Sequence, residues 1–177
     1  IVPISRFYPL KNMPIYWRRK VERIKGRLPK DAITVHSVDL STEEDRQLLM
    51  KSVEMWQSRG INDYGKVEQD SIRECLWHSD ELDIDNLCLF VNGKLHGFCL
   101  YTVSNDRRYI AVKHVKATHE STVGFELIGY EFAKRFSEQG ITYVNLNADH
   151  GKLRLRMFML ALGPCNFFRK YIVEPAL

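Results

Sequence analysis

The chain has 177 residues, of which 45% are hydrophobic and 27% charged, with a formal net charge of +4 at pH 7. This composition indicates a single globular domain and excludes a disordered or fibrous protein. No apolar run reaches the roughly 20 residues that cross a bilayer, and no signal peptide precedes the first element. The sequence therefore predicts a cytoplasmic protein, with peripheral attachment to a membrane left open.

The cysteines do not form a recognisable metal or redox motif. Cys75, Cys88, Cys99 and Cys165 lie far apart and lack CxxC spacing. Cys88 and Cys99 fall within apolar strand-like runs, which favours buried thiols, and no metal site is expected. The chain begins at Ile1 rather than Met, which suggests a piece of a longer protein.

Residues 1–14 are interpreted as an N-terminal strand or linker, and residues 15–30 as a basic amphipathic helix. Apolar residues recur in this helix at three- and four-residue steps, as on one buried face. Its cations are Arg18, Arg19, Lys20, Arg23, Lys25, Arg27 and Lys30, against one acid, Glu22. Two interpretations stay open: an ordinary solvated surface, or a docking face for polyphosphate, RNA or anionic lipid.

A short strand at 33–36 and two helices are predicted next. The first helix spans 41–60, where Ser41 is expected to cap the N-terminus and Glu44 to reach back in a capping box. The second spans about 66–77. Both helices precede the main group of strands.

Three antiparallel strands follow. Asn92-Gly93 joins two apolar runs and is a strong hairpin signal, because a type I′ turn needs positive φ at both central residues. A second turn at 104–106 leads to a third strand at 109–115, in which His114 is expected to be a packed or edge residue. These strands form a three-stranded meander.

A helix at 120–138, ended by Gly140, leads to a strand at 141–146, a helix at 152–162 and a final strand at 166–173. On the first of these helices, Glu126 and Glu131 are expected to be solvated. The order predicts an α/β mixed sheet in which the three-stranded antiparallel meander is followed by a β-α-β crossover, with helices on both faces.

The stretch YVNLNADHGKLRLR changes from an apolar strand to a polar segment. Asn145, Asn147 and Asp149 alternate, so they would share one face of a strand at the sheet edge where α/β proteins usually bind ligands. The amides could polarise a carbonyl, and Asp149 could position or deprotonate an acceptor, with His150 or His119 as the alternative base. In the structural alternative Asp149 only caps the following helix.

Four segments carry a family resemblance: VNGKLHGF, VKATHESTVGFELIGYEFAKRF, YVNLNADHGKLRLRMFMLALGP and FFRKYIV. Together, over roughly residues 86–174, they resemble the GNAT-like acyltransferase family that includes the C-terminal domain of phosphatidylglycerol lysyltransferase. The matching positions are Gly124, Tyr130, Glu131, Phe132, Asn145, Asp149, Gly151, Leu155, Arg156, Pro164 and Tyr171. The resemblance implies one GNAT-like domain over 1–177, alone or as the C-terminal half of a tandem GNAT protein.

The resemblance also implies acyl or aminoacyl transfer to an amine or hydroxyl, with a small molecule or lipid headgroup as acceptor. The donor would be acyl-coenzyme A or an aminoacyl-tRNA. The catalytic candidates are Asn145, Asn147, Asp149 and His150, and the donor-binding candidates are Gly124, Arg18, Arg19, Arg23 and Arg156. A homodimer or an upstream domain could complete the protein. The alternative is a non-catalytic binding module, since Leu146, Met159 and Ala161 stand where the family pattern has other residues.

Overall fold

The structure, a computed structural model, describes residues 1–29, 31–57, 65–117, 125–147 and 153–167. Its strands are β1 (Val2–Pro3), β2 (Ile33–His36), β3 (Asp85–Val91), β4 (Lys94–Val103), β5 (Tyr109–Ala117) and β6 (Tyr143–Asn145). Its α-helices are α1 (Ile15–Lys25), α2 (Glu43–Gln57), α3 (Gly65–Trp77), α4 (Phe125–Glu138) and α5 (Leu153–Ala161). Two 3-10 helices, Ile4–Arg6 and Leu10–Asn12, lie between β1 and α1.

The six strands form one mixed sheet in the order β1-β6-β5-β4-β3-β2. Strands β2 to β5 pair antiparallel, β5 and β6 pair parallel, and β1 pairs antiparallel with β6. The parallel pair follows from α4, which carries the chain across one face of the sheet between β5 and β6. The predicted meander, crossover and mixed α/β sheet are confirmed.

The two turns of the meander form as their residues predict. Asn92 and Gly93 have φ of 50° and 74°, the positive values that a type I′ turn needs. At the second turn the Ser104 hydroxyl donates to Asp106 Oδ1 at 2.6 Å. Positive φ values therefore define the first turn, and a side-chain hydrogen bond stabilises the second.

Helices cover both faces of the sheet. Leu87, Leu89 and Cys99 face the core shared with α1 and α4, whereas Cys88 and Phe98 face the core shared with α2 and α3. This alternation follows the two-residue period of a strand. Both strand cysteines are buried free thiols. Among the helices described, none has the length and apolarity needed to cross a bilayer.

Three predicted boundaries need correction or lie outside the described residues. Helix α1 ends at Lys25 rather than at residue 30, because Gly26 stands at its C-terminus and Pro29 cannot continue it. The hydroxyl of Thr42, not Ser41, accepts the backbone N–H of Asp45 at the start of α2. Of the predicted strand at 166–173, the structure describes only 166–167, which are not in a strand.

Candidate functional site

A wedge-shaped gap separates β5 from β6. The two strands pair only through Tyr109 with Tyr143, Ile110 with Val144 and Ala111 with Asn145. Beyond these pairs β5 continues to Ala117, whereas β6 stops. In the described part of the chain, the pairing of β5 with β6 thus ends at Ala111. A ligand could lie in the gap along the rest of β5.

A β-bulge in β5 lies beside the gap. Leu100 of β4 pairs with His114, but the next residue, Tyr101, pairs with Val112, so Lys113 is an extra residue. The extra residue of a bulge changes which side chains face each side of the sheet. Here Val112 lies in the core under α4, whereas His114 turns towards α3.

An apolar cavity of about 60 Å³ lies at the inner end of the gap, between the sheet and α4. Its described lining is Ile4, Phe7, Cys99, Val112, Val115, Phe125, Gly129, Phe132, Ala133, Phe136, Val144, Leu146 and Phe158. Burial raises the pKa of the Cys99 thiol far above its ordinary value, so this polar group stays uncharged. The cavity can therefore accept apolar groups and offers no charge to a ligand.

The polar end of β6 forms a turn. Asn145 Oδ1 accepts the backbone N–H of Asn147 at 3.0 Å, and Asn147 has a left-handed φ of 69°. Asn145 pairs with Ala111 at the point where the gap opens. Because the strand ends there, the expectation that Asn145 and Asn147 share a strand face is wrong. Local hydrogen bonding of an asparagine side chain is the physical reason.

Several predicted site residues lie outside the described part of the chain. These are the catalytic candidates Asp149 and His150, the alternative base His119, and Gly124 of the donor loop. Their roles stay predictions. Leu146, which was not a site candidate, lines the cavity.

Two cations of the basic helix form ion pairs with glutamates of α4. Lys20 Nζ lies 2.8 Å from both carboxylate oxygens of Glu126, and Lys25 Nζ lies 2.6 Å from Glu131 Oε1. The expectation that both glutamates are solvated is wrong, since α1 packs on α4 and covers them. Glu131 is only 7% exposed. Lys20 and Lys25 therefore hold helices together.

The remaining arginine candidates face outward. Arg19 and Arg23 are exposed one turn apart on α1, and Arg156 is exposed on α5. Arg18 is half-buried, with its Nε 4.0 Å from Glu22 Oε1 on the same helix. Arg19 and Arg23 therefore form the described basic surface of α1.

Aromatic rings join this basic surface to the cavity. The ring of Trp17 on α1 stacks on Phe158 of α5 at a centroid distance of 5.1 Å. Phe158 also meets Phe125, at the start of α4, edge to face at 5.7 Å. Both phenylalanines line the cavity. The start of α1 therefore lies next to one end of the cavity.

His114 is a candidate that sequence patterns did not single out. Its Nε2 lies 3.1 Å from the Ser71 hydroxyl of α3, on the sheet face opposite the cavity. Burial, more than the nearby Lys116 and Lys113, lowers the pKa of His114, while Glu68 opposes the shift. The ring is therefore neutral near pH 7, as a general base must be. Its partner lies 43 residues away in sequence, so no local spacing could reveal the pair.

The mixed sheet, the crossover helix and the gap between β5 and β6 together make a GNAT-like fold. Residues 17–150 match the family of phosphatidylglycerol lysyltransferase C-terminal domains. The chain belongs to this family.

Known structures share the fold. A conserved protein of unknown function from Bacteroides thetaiotaomicron is 22% identical with a TM-score of 0.71, over 93% of this chain and 55% of that one. The C-terminal domain of a protein assigned as a lysylphosphatidylglycerol synthetase, from Agrobacterium fabrum, is 16% identical with a TM-score of 0.61, over 92% of this chain and 55% of that one. A ribosomal-protein-alanine N-acetyltransferase from Brucella melitensis is 15% identical with a TM-score of 0.54, over 82% of this chain and 100% of that one.

These identities support a shared fold rather than a shared substrate. The chain spans about 55% of the length of the first two proteins. No curated protein sequence matches it.

Proposed function

We propose that the domain transfers an acyl or aminoacyl group from a thioester or an aminoacyl-tRNA to an amine or hydroxyl acceptor. The observation that carries this proposal is the gap that opens where β6 ends at Asn145 and β5 runs on to Ala117. A donor would lie in this gap, alongside β5 beyond Ala111. Membership in the lysyltransferase family supports the same chemistry.

The reaction would be a direct attack with no covalent enzyme intermediate. The acceptor nitrogen or oxygen bonds to the donor carbonyl carbon, and the bond from that carbon to the thiol sulfur or the tRNA ribose oxygen breaks. The acceptor loses a proton to a base, and the leaving group takes up a proton. The side-chain amides of Asn145 and Asn147 would donate to the carbonyl oxygen as its negative charge grows.

Two sets of residues are candidates for the acceptor side. Asp149 would position the acceptor, with His150 as an alternative base. His114 is a third candidate, because its ring lies 3.1 Å from the Ser71 hydroxyl on the part of β5 that continues beyond its pairs with β6. A base on this face would meet an acceptor that approaches from the side opposite the cavity.

The donor's phosphates would bind the outward-facing arginines. Arg19 and Arg23 carry most of this proposal, with Arg18 and Arg156 as further candidates, because Lys20 and Lys25 are held by glutamates. Phosphate contacts of this kind are independent of sequence and weaken as salt rises. Both acyl-coenzyme A and an aminoacyl-tRNA would supply such phosphates.

The second candidate is a binding module that keeps the fold without the chemistry and binds RNA, an anionic lipid or a protein partner. It is favoured by Leu146, which packs into the cavity and offers no charge to the gap.

The proposal has three further parts: a lipid headgroup as acceptor, a second copy of the chain, and an upstream domain. An upstream domain is proposed because the chain spans 55% of the length of two structural relatives.

One experiment separates the two functions. The protein is incubated with coenzyme A, acyl-coenzyme A and tRNA, and the shift in melting temperature is measured. The transferase predicts stabilisation by a donor, and Asp149→Ala should abolish transfer with nearly unchanged thermal stability. Stabilisation by tRNA without transfer favours a binding module for RNA, and no response to any donor favours one for a lipid or a protein. A large loss of stability in Asp149→Ala favours a capping role.

A further inference from the structure

We infer that the cavity beside the gap receives an apolar side chain of the transferred group, so that the donor carries an aliphatic or aromatic acyl group rather than a cationic one such as lysyl. This inference rests on the proposed transferase function and adds its substrate class. It would distinguish this chain from a lysyl-transferring relative while keeping the same fold.

The position of the cavity is the first argument. Val112 and Val115 of β5 form one wall, and Val144 of β6 with Leu146 just after it forms another, so the cavity lies beside the point where the two strands separate. A carbonyl held in the gap would therefore have its attached chain directed between these side chains. The cavity continues the gap rather than forming a separate site.

The chemistry of the walls is the second argument. Every described lining residue is apolar apart from the uncharged Cys99 thiol. Burying an ammonium group without a partner is strongly unfavourable, so such a site rejects a lysyl side chain unless a carboxylate faces it. A hydrocarbon chain, in contrast, gains from leaving water.

The pairing of three carboxylates in the described part of the chain is the third argument. Glu126 and Glu131 on α4 are paired with Lys20 and Lys25 of α1. On the opposite face of the sheet, Glu68 is paired with Lys116 at 2.7 Å. None of these three carboxylates is among the residues that line the cavity.

Gly129 of α4 lines the cavity and has no side chain to fill it. A Cβ atom there would lie 3.6 Å from Phe7 Cδ1, which is ordinary van der Waals contact. Gly129→Ala therefore adds a methyl group to the cavity wall without strain, and it should not prevent folding. Ala133→Leu, at another lining position, is a stronger block, and Ala161→Leu on the exposed face of α5 is its control.

The test compares norleucinamide with lysinamide, which have the same chain length and differ at its end, where lysinamide carries an ammonium group. Hexanamide serves as an uncharged third probe. Binding is measured by NMR titration of the whole protein. We expect norleucinamide to bind at least about tenfold more tightly than lysinamide, a difference of about 1.4 kcal/mol. Hexanamide should bind as norleucinamide does.

The variants show whether binding takes place in the cavity. Gly129→Ala and Ala133→Leu should weaken norleucinamide binding, whereas Ala161→Leu should leave it unchanged. Leu146→Glu places a carboxylate at the partly buried wall and should reverse the preference towards lysinamide.

Equal or tighter binding of lysinamide by the wild-type protein, or no binding of either apolar amide, overturns the inference. The proposed transferase function fails separately, when no donor stabilises the protein and no transfer is detected. A protein that transfers an acyl group but prefers lysinamide would therefore refute the apolar substrate class alone.

Discussion

Lys25 Nζ lies 2.6 Å from Glu131 Oε1, and this ion pair joins α1 to α4 alongside the pair between Lys20 and Glu126. The same ammonium lies 4.9 Å from the centre of the Tyr130 ring. Helix α4 carries the chain from β5 to β6. The basic helix thus supports the element that connects the two strands of the gap.

The first prediction tests this support. Glu131→Gln should lower the free energy of unfolding by about 2 kcal/mol, because it leaves the Lys25 ammonium beside a neutral group in a largely covered site. Glu22→Gln is the control, since its carboxylate is 53% exposed and 4.0 Å from Arg18, and it should change stability by less than about 0.5 kcal/mol. Urea unfolding measures both. Equal effects would contradict a structural role for the Lys25 pair.

A second prediction concerns how closely α4 approaches the sheet. A Cβ atom on Gly97 of β4 would lie 2.6 Å from Ile128 Cδ1 and 2.9 Å from the backbone oxygen of Lys116. Gly97→Ala should therefore cost about 2 kcal/mol of stability through overpacking.

Gly129→Ala is the matched variant on the facing helix. Its new methyl group meets only an ordinary contact with Phe7, and alanine favours helix over glycine by about 1 kcal/mol. It should raise the melting temperature, and Gly97→Ala should lower it. If both changes were neutral, the sheet and α4 would not be in the close contact described.

Sequence patterns predicted the parts of the fold that local chemistry decides. The meander follows from Asn92-Gly93 and the turn at 104–106, and the end of α4 follows from Gly140, which has a φ of 83°. The parallel pairing of β5 and β6 came from topology and family resemblance. These features needed no knowledge of distant contacts.

The site was harder to predict because its residues meet through tertiary contacts. The partners Lys25 and Glu131 are 106 residues apart, so the sequence showed a basic surface and a solvated acid instead of an ion pair. A period-two pattern also placed Asn145 and Asn147 on one strand face, but a side-chain hydrogen bond ends the strand between them. A local asparagine turn competes with the strand, and alternation alone does not decide which forms.

A third prediction concerns the pH dependence of stability. Burial lowers the pKa of His114 below its ordinary value of 6.5. As pH falls below 6.5, the unfolded chain therefore binds this proton before the folded protein does. The neutral ring therefore contributes its full stabilisation above pH 6.5. This contribution declines as the pH falls towards the pKa of the folded state.

His114→Gln should weaken this decline between about pH 7 and 5. The measurement is urea unfolding at several pH values. An unchanged slope in His114→Gln would show that the ring titrates alike in both states. Burial beside Ser71 would then not keep the imidazole in its neutral form.

The last prediction separates a chemical role of Asn147 from a role in the turn. Its φ of 69° is a conformation that glycine adopts without strain, so Asn147→Gly keeps the backbone and removes the side-chain amide. Asn147→Ala removes the same amide but should cost about 1 kcal/mol of stability, because a Cβ without a local hydrogen bond is unfavourable there. If the amide stabilises the carbonyl oxygen during transfer, both variants should lose at least about tenfold in kcat/KM, although the alanine variant loses more stability than the glycine variant. Steady-state transfer and thermal unfolding measure the two effects. Full activity in Asn147→Gly would assign the residue to the turn alone and leave Asn145 as the described amide at the opening of the gap.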